Sequence, residues 1–275
     1  MLGSSRISLA AARDELARTV ADTDPAAIAT LSSELLAVST AITGSSALRS
    51  ALSDSGTAPA DRTSLARSVF EGKVGAATLE IVTDVVARRW TSGRDLVDAI
   101  EALGFEAALI EAERTGRLDT VEDELFRVDR LVAGDDDLRH ALSDVAIADD
   151  TKAALLEDIL GGKADDRTVR LVRHVVAHPR GRRLGDALAD LVAQSARRRE
   201  RLVANVRVAE ALTPDQEGRL AAALGRIYRN DVDLQVEIDP EVLGGAVVTV
   251  GDEVIDGSIA RRIEQVRRTL GAPRQ

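Results

Sequence analysis

The chain of 275 residues contains one sequence unit twice, displaced by 90 positions. The segment LRSALSD at 48–54 aligns with LRHALSD at 138–144 without a gap. Between 29 and 87, about one position in three is identical to its counterpart 90 residues later. Two copies do not make a solenoid, but they require that one topology be used twice. This duplication therefore constrains the fold more than any other feature of the chain.

We call residues 1–103 copy one and residues 104–201 copy two. In copy one, Asp24 and Pro25 predict a helix start, because aspartate caps a helix and proline suits its first position. An apolar stripe at helical spacing follows and ends at Gly44, and copy two repeats the stripe and ends it at Gly134. The pattern predicts about five or six short helices in each copy, that is, two related helical bundles in tandem.

The composition is consistent with helical bundles. Aromatic residues make up only 2% of the chain, so its cores must consist mainly of small aliphatic side chains on closely packed helices. Trp90 is the only tryptophan. We interpret it as a core residue of copy one, and an anchor at an interface is the alternative.

Residues 202–275 have a different pattern, which predicts a small α/β domain. Leu202–Val208 and Val232–Ile238 alternate as strands, and Thr213 with Pro214 starts a helix between them. Ala246–Val250 and Glu253–Ile255 flank a two-residue turn and predict a tight hairpin. An amphipathic helix is expected to follow. The predicted fold class is thus mostly α with a small α+β C-terminal domain, and the predicted domains are 1–103, 104–201 and a βαββα module at 202–275.

Charge and composition exclude several classes of function. The formal net charge of −10 argues against a nucleic-acid-binding protein, which needs a dominant basic face. The absence of cysteine excludes disulfides and thiolate metal sites. We find no secretion signal and no apolar run approaching the ~20 residues that span a bilayer, so we expect no direct membrane insertion.

The local motifs that suggest chemistry are incomplete. His174 and His178 have the spacing of a helical metal pair but lack the adjoining glutamate of a zinc protease, so we interpret them as a surface pair. Gly162-Lys163 lacks the remaining residues of a phosphate-binding loop, and the same dipeptide at 72–73 suggests a helix C-cap instead. The aspartates at 135–137 lack the ligand spacing of a calcium loop and are interpreted as the start of a helix. We expect no catalytic residue, cofactor or metal.

The C-terminal segment VGDEVIDGSIARRIEQVRRTL at 250–270 resembles the signature of the δ subunit of bacterial F-type ATP synthase, the family of the mitochondrial oligomycin-sensitivity-conferring protein. The residues that carry the resemblance are Gly244, Gly245, Gly251, Asp252, Asp256, Gly257 and Ser258. An ordinary δ subunit has one bundle followed by a small α/β domain, which corresponds to 104–275 here. Copy one is then an addition that resembles the enlarged δ of some actinobacteria.

The resemblance implies a non-catalytic subunit of the peripheral stalk, or stator, on the cytoplasmic face of the bacterial plasma membrane. Its implied partners are the N-terminal helix of an α subunit, bound by a bundle, and the b subunits, bound by the C-terminal domain. In this family the α helix lies between the first and fifth helices of the bundle. That position corresponds in copy two to Phe105, Leu109, Ala112, Val169, Val172 and Val176, and in copy one to Leu9, Ala12, Leu16, Leu79, Val82 and Val86. For each of these twelve residues taken individually, an ordinary core position is the favoured interpretation.

Two other classes of function remain open from the residues alone. The chain could be a helical scaffold or adaptor protein unrelated to ATP synthase, with a coincidental C-terminal signature. It could also be an enzyme whose site has no recognised motif. Binding to α and b subunits separates the first alternative from the stator, and turnover by the purified protein tests the second.

Overall fold

The computed structural model describes residues 3–144, 146–200, 203–228, 232–240, 242, 244–250 and 253–257, in two units at 1–195 and 196–275. The copies consist of helices throughout, as predicted. Their bounds are α1 Ser4–Val20, α2 Pro25–Gly44, α3 Ser46–Ser53, α4 Pro59–Phe70, α5 Ala76–Ala87, α6 Gly93–Arg114, α7 Leu118–Gly134, α8 Asp136–Ser143, α9 Asp149–Leu160, α10 Asp166–Ala177 and α11 Leu184–Glu200.

The two copies share a capping contact that sequence analysis did not identify. In copy one, the Glu34 carboxylate on α2 accepts hydrogen bonds from the Gly75 amide, at 3.0 and 3.1 Å, and from the Thr78 hydroxyl. In copy two, Glu124 on α7 accepts equivalent bonds from the Asp165 amide at 2.9 Å and the Thr168 hydroxyl at 2.6 Å. Each glutamate satisfies a free amide at a helix N-terminus and ties two helices together.

A single helix, α6, crosses the predicted boundary between copy one and copy two at 103/104. Its first half packs in the core of copy one, and Ala107 and Ile110 of its second half belong to the same apolar cluster. Helix α2 lies very close to its middle, where Ser32 Oγ donates to the Gly104 carbonyl at 2.8 Å. A Cβ atom at Gly104 would lie 2.8 Å from Leu36 Cδ2, so a larger residue here requires the Leu36 side chain or the helices to shift. Helix α6 is therefore a structural part of both copies.

Two sequence predictions concern the core of copy one. Trp90 is 5% exposed within this core, and its indole Nε1 donates to the Val85 carbonyl at 2.8 Å, which confirms the core interpretation. Helix α2 is, within the described residues, the one helix long and apolar enough by length and composition to cross a membrane. The expectation that no run approaches that length is therefore wrong for 25–44. Its residues Ile28, Leu35 and Ile42 are fully buried in the bundle core.

The second unit contains the predicted α/β elements. The strands are β1 Val203–Val208, β2 Asp233–Ile238, β3 Ala246–Val250 and β4 Glu253–Asp256, and helix α12 spans Pro214–Tyr228. The sheet order is β2-β1-β3-β4, with β1 parallel to β2 and the other two pairs antiparallel. Val206 and Val248 are opposite each other and buried in a core that includes Leu224 of α12. These elements confirm the fold class, while the predicted final helix lies outside the described residues.

Candidate helix-binding groove

In copy two, five of the six predicted groove residues are core residues. Phe105, Leu109 and Ala112 on α6 are at most 5% exposed, and Val172 and Val176 on α10 are at most 3% exposed. Val169, one turn earlier on α10, is half-buried and borders a cavity. The structure thus brings the two predicted helices together, and it leaves one of the six residues at an accessible surface.

The counterparts in copy one are also packed. One apolar cluster includes the fully buried residues Ala12, Leu16, Val82 and Val86. Leu79 belongs to the same cluster and is 8% exposed. Leu9 is half-buried and packs against it. Helices α1 and α5 therefore contact each other directly through these side chains.

A cavity of about 890 Å³ lies between α2 of copy one and α10 of copy two. We call it the α2–α10 groove. The α2 wall carries Ser33, Ala37 and Ala41, and the α10 wall carries Val169, Arg173 and Ala177, both at intervals of four residues. Residues four apart form a ridge along a helix, and small side chains in it let a third helix approach closely. This wall from copy one was not predicted.

The two walls of the α2–α10 groove differ in charge. Between Pro25 and Gly44 the only ionisable side chain is Glu34, and its carboxylate is engaged by Gly75 and Thr78. The opposite wall contains arginines that are already paired. Arg170 bonds to Glu111 at 2.9 Å, and Arg173 bonds to Glu157 at 2.9 Å on the surface. The groove therefore offers one uncharged wall and one polar wall, which suits an amphipathic partner.

A buried ionic cluster lies beside the groove and was also missed by sequence analysis. Glu101 on α6, with a side chain 3% exposed, contacts Arg180, Arg182 at 2.9 Å and His174 Nε2 at 3.2 Å. Burial by itself would raise the pKa of Glu101, but the His174 hydrogen bond and the two arginine charges hold it below its usual value. The available signal was the duplication: from Gly93 onward the copies align with a displacement of 88 residues, which makes Ala189 the counterpart of Glu101.

His174 is not a surface residue, which corrects the interpretation of His174 and His178 as a surface pair, while His178 is half-buried and borders the groove. The His174 side chain is only 9% exposed, packs edge-on against Phe105 at 5.6 Å between ring centroids, and bonds to Glu101. Its ring centroid lies 4.8 Å from that of His178, whose pKa is lowered by burial and then by His174. Among the described residues there is no group of three or more His, Cys, Asp or Glu that could hold a metal ion.

The remaining local motifs have the predicted helix-capping roles. Gly162 has φ 66° in the turn after α9, and Lys163 Nζ donates to the carbonyls of Asp158 and Ile159 at 2.9 and 3.3 Å. The lysine thus caps the C-terminus of α9. Asp135 is the N-cap of α8, and its carboxylate accepts from the Leu138 amide at 2.9 Å.

The C-terminal signature is partly described by the structure. Gly244 and Gly245 have φ 87° and 83°, a left-handed conformation that glycine adopts without steric cost. Asp256 ends β4 opposite Val247, and the Gly257 amide donates to the Ala246 carbonyl at 2.9 Å. The described signature residues thus start and end the hairpin. Gly251, Asp252 and Ser258 lie outside the described residues.

Comparison with known proteins agrees with these observations. The sequence model of the ATP synthase delta (OSCP) subunit family matches residues 106–270, which contain nearly all of copy two and most of the C-terminal unit. The chain is 43% identical over 274 residues to the ATP synthase subunit delta of Acidothermus cellulolyticus, covering 99% of this chain and 100% of that protein. It is 42% identical over 270 residues to that of Streptomyces avermitilis, covering 98% of both chains. It is 43% identical over 270 residues to that of Nocardia farcinica, covering 98% of this chain and 100% of that protein. The chain therefore belongs to the ATP synthase delta (OSCP) subunit family.

Proposed function

We propose that the chain is the peripheral-stalk subunit δ of a proton-translocating F-type ATP synthase and joins the catalytic α/β head to the b subunits. Proton flow turns the central rotor, and an equal counter-torque acts on the head. Without a tether the head turns with the rotor and no ATP is made. The observation that carries the proposal is the family membership over nearly the whole chain. The comparisons do not favour an unrelated scaffold or adaptor, and the family is a non-catalytic one.

The part of this tether that binds the α subunit, its α end, is proposed to be the α2–α10 groove. A tether needs slow dissociation, which a helix buried in a groove provides. The accessible position of Val169 and the uncharged wall at Ala37 support an amphipathic N-terminal helix of an α subunit as the occupant. The family match begins at residue 106, which supports copy two as the bundle that corresponds to the ordinary δ subunit.

The part that binds the b subunits, the b end, is proposed to be the C-terminal unit. It is a separate unit from 196 onward with its own apolar core around Val206 and Leu224, so it can bind independently of the helices before it. Deleting 202–275 is expected to abolish binding to b and to leave the helical signal of the bundles intact. Retained binding to b by residues 1–201 would contradict this assignment. As part of the enzyme complex, the chain is proposed to lie peripherally at the cytoplasmic face of the membrane.

The α end is tested by placing a charge on the uncharged wall. Ala37 is exposed in the α2–α10 groove, whereas Ala26 is exposed on the same helix and does not line it. Ala37→Glu is expected to weaken binding of the N-terminal peptide of the cognate α subunit by about tenfold or more, because a charge is desolvated at the interface. Ala26→Glu is the matched control and should bind as the wild type does. Equal affinity of both variants would contradict docking in this groove.

A further inference from the structure

The ionic cluster around Glu101 connects copy one to copy two. Glu101 and Asp98 lie on the first half of α6, in the sequence of copy one. Their partners come from copy two: Arg180 bonds to both carboxylates, at 2.9 Å to Asp98, and Arg182 lies 2.9 Å from Glu101. In the reverse direction, Arg94 of α6 donates to the Arg180 carbonyl at 2.9 Å. The cluster therefore attaches the segment after α10 to the first half of α6, which packs in the core of copy one.

The backbone at the cluster has an unusual conformation. Arg180 has φ 49°, a left-handed conformation that is disfavoured for a residue with a Cβ atom. Such a conformation persists only where the surrounding structure holds it. The side-chain and backbone contacts of Arg180 with Glu101, Asp98 and Arg94 are contacts of this kind.

Comparison of the two copies shows that the cluster is not needed to build a bundle. Position 174 corresponds to Asp84 in copy one, and position 178 corresponds to Arg88. Those two residues form an ion pair at 2.7 Å at the C-terminal end of α5 instead. Copy one holds α1 to the corresponding corner by other contacts, such as the hydrogen bond of 2.7 Å from Ser8 Oγ to the Arg89 carbonyl. The Glu101 cluster is therefore particular to the place where copy two packs against α6.

We propose that the Glu101 cluster is an interlock that fixes the orientation of copy two relative to copy one and thereby sets the α2–α10 groove. Burying several charges is unfavourable unless their geometry is satisfied, so the cluster favours one arrangement over its neighbours. His174 belongs to the cluster and also lines the groove, which connects the interlock directly to the α10 wall. Glu101 is thus a positioning residue. We call the contact between the two copies at this cluster the joint. The effect of Glu101 on the joint does not depend on which partner the groove binds. Its effect on the affinity for the α-subunit helix rests on the proposed function.

The joint is tested by a distance between the copies. The chain has no cysteine, so Ala60→Cys on α4 and Asp150→Cys on α9 allow two spin labels to be attached at exposed, equivalent positions. The full-length protein should give one narrow distance distribution. Glu101→Gln should broaden or shift this distribution while the helical circular dichroism is retained. Asp84→Asn, which breaks the ion pair of copy one away from the joint, is the matched control and should leave the distribution unchanged.

A second variant and a second measurement keep the inference falsifiable. If Glu101→Gln fails to fold, Arg182→Gln removes a single partner of Glu101 and should produce the same broadening. If the groove-forming arrangement falls to about a tenth of the population, the affinity for the α-subunit peptide should fall about tenfold. An unchanged distance distribution in the folded variants would overturn the interlock. A broadened distribution in a protein that never binds the peptide would support the interlock and contradict the proposed α contact.

Discussion

The Thr168 hydroxyl donates a hydrogen bond of 2.6 Å to the Glu124 carboxylate, which joins the first turn of α10 to the middle of α7. The same contact between Thr78 and Glu34 occurs 90 residues earlier. The duplicated sequence therefore preserves a specific helix-capping interaction as well as the apolar stripes. In copy two this interaction holds α10, which provides one wall of the α2–α10 groove.

Replacing Glu124 tests the contribution of this capping interaction. Glu124→Ala should lower the free energy of unfolding by about 1–2 kcal/mol, because it leaves the Asp165 amide and the Thr168 hydroxyl without their partner. Urea unfolding followed by circular dichroism measures the change. Glu34→Ala is the matched variant in copy one and should have a similar effect. Wild-type midpoints for both variants would show that the contact contributes nothing.

The crossing of α2 and α6 predicts that Gly104 cannot be replaced without cost. Gly104→Ala should destabilise the protein by roughly 1–3 kcal/mol, because the added Cβ meets the Leu36 side chain, and either this side chain or the two helices must shift. Gly134→Ala is the control, since no atom lies within 4 Å of the added Cβ there. The control should be neutral or slightly stabilising. A Gly104→Ala variant as stable as this control would contradict the close crossing.

The continuity of α6 predicts where copy one can be cut. A fragment of residues 1–116 should unfold in one cooperative transition, because it keeps Ala107 and Ile110 in the core. A fragment of residues 1–103 ends inside α6 and should have a lower melting temperature. The comparison uses thermal unfolding of both purified fragments. Equal melting temperatures would mean that the second half of α6 adds nothing to copy one and that 103/104 is a true domain boundary.

The lowered pKa of Glu101 predicts a loss of stability in acid. A carboxyl group with a folded-state pKa below its unfolded value of 4.5 stabilises the protein above that value. This contribution is lost as the pH falls through the lower folded-state pKa. Unfolding free energies should therefore decrease more steeply with falling pH below about 4.5 in the wild type than in Glu101→Gln. Parallel pH profiles of the two proteins would contradict a charged, ion-paired Glu101.

Much of this fold could be predicted from periodicity and capping residues. Asp24, Pro25 and Gly134 mark helix ends that the structure has at these places. The predicted boundary at 103/104 falls inside helix α6, where Gly104 continues the helix and allows α2 to approach. Glu101 and His174 were missed or misinterpreted, because one sequence shows spacing along a helix and not which residues meet across the tertiary structure. The only signal in the sequence was that Glu101 and His174 differ in residue type from their counterparts in the other copy.

The central claim is that the chain couples rotation to synthesis and takes no part in catalysis. The most direct measurement compares proton-driven ATP synthesis and ATP hydrolysis in membranes depleted of this protein, before and after it is added back. Hydrolysis by the catalytic head should persist without the protein, whereas proton-driven synthesis should be lost and should return when the protein is restored. Undiminished synthesis in the depleted membranes would contradict the stator function, and loss of hydrolysis by the isolated head would indicate a catalytic or regulatory role instead.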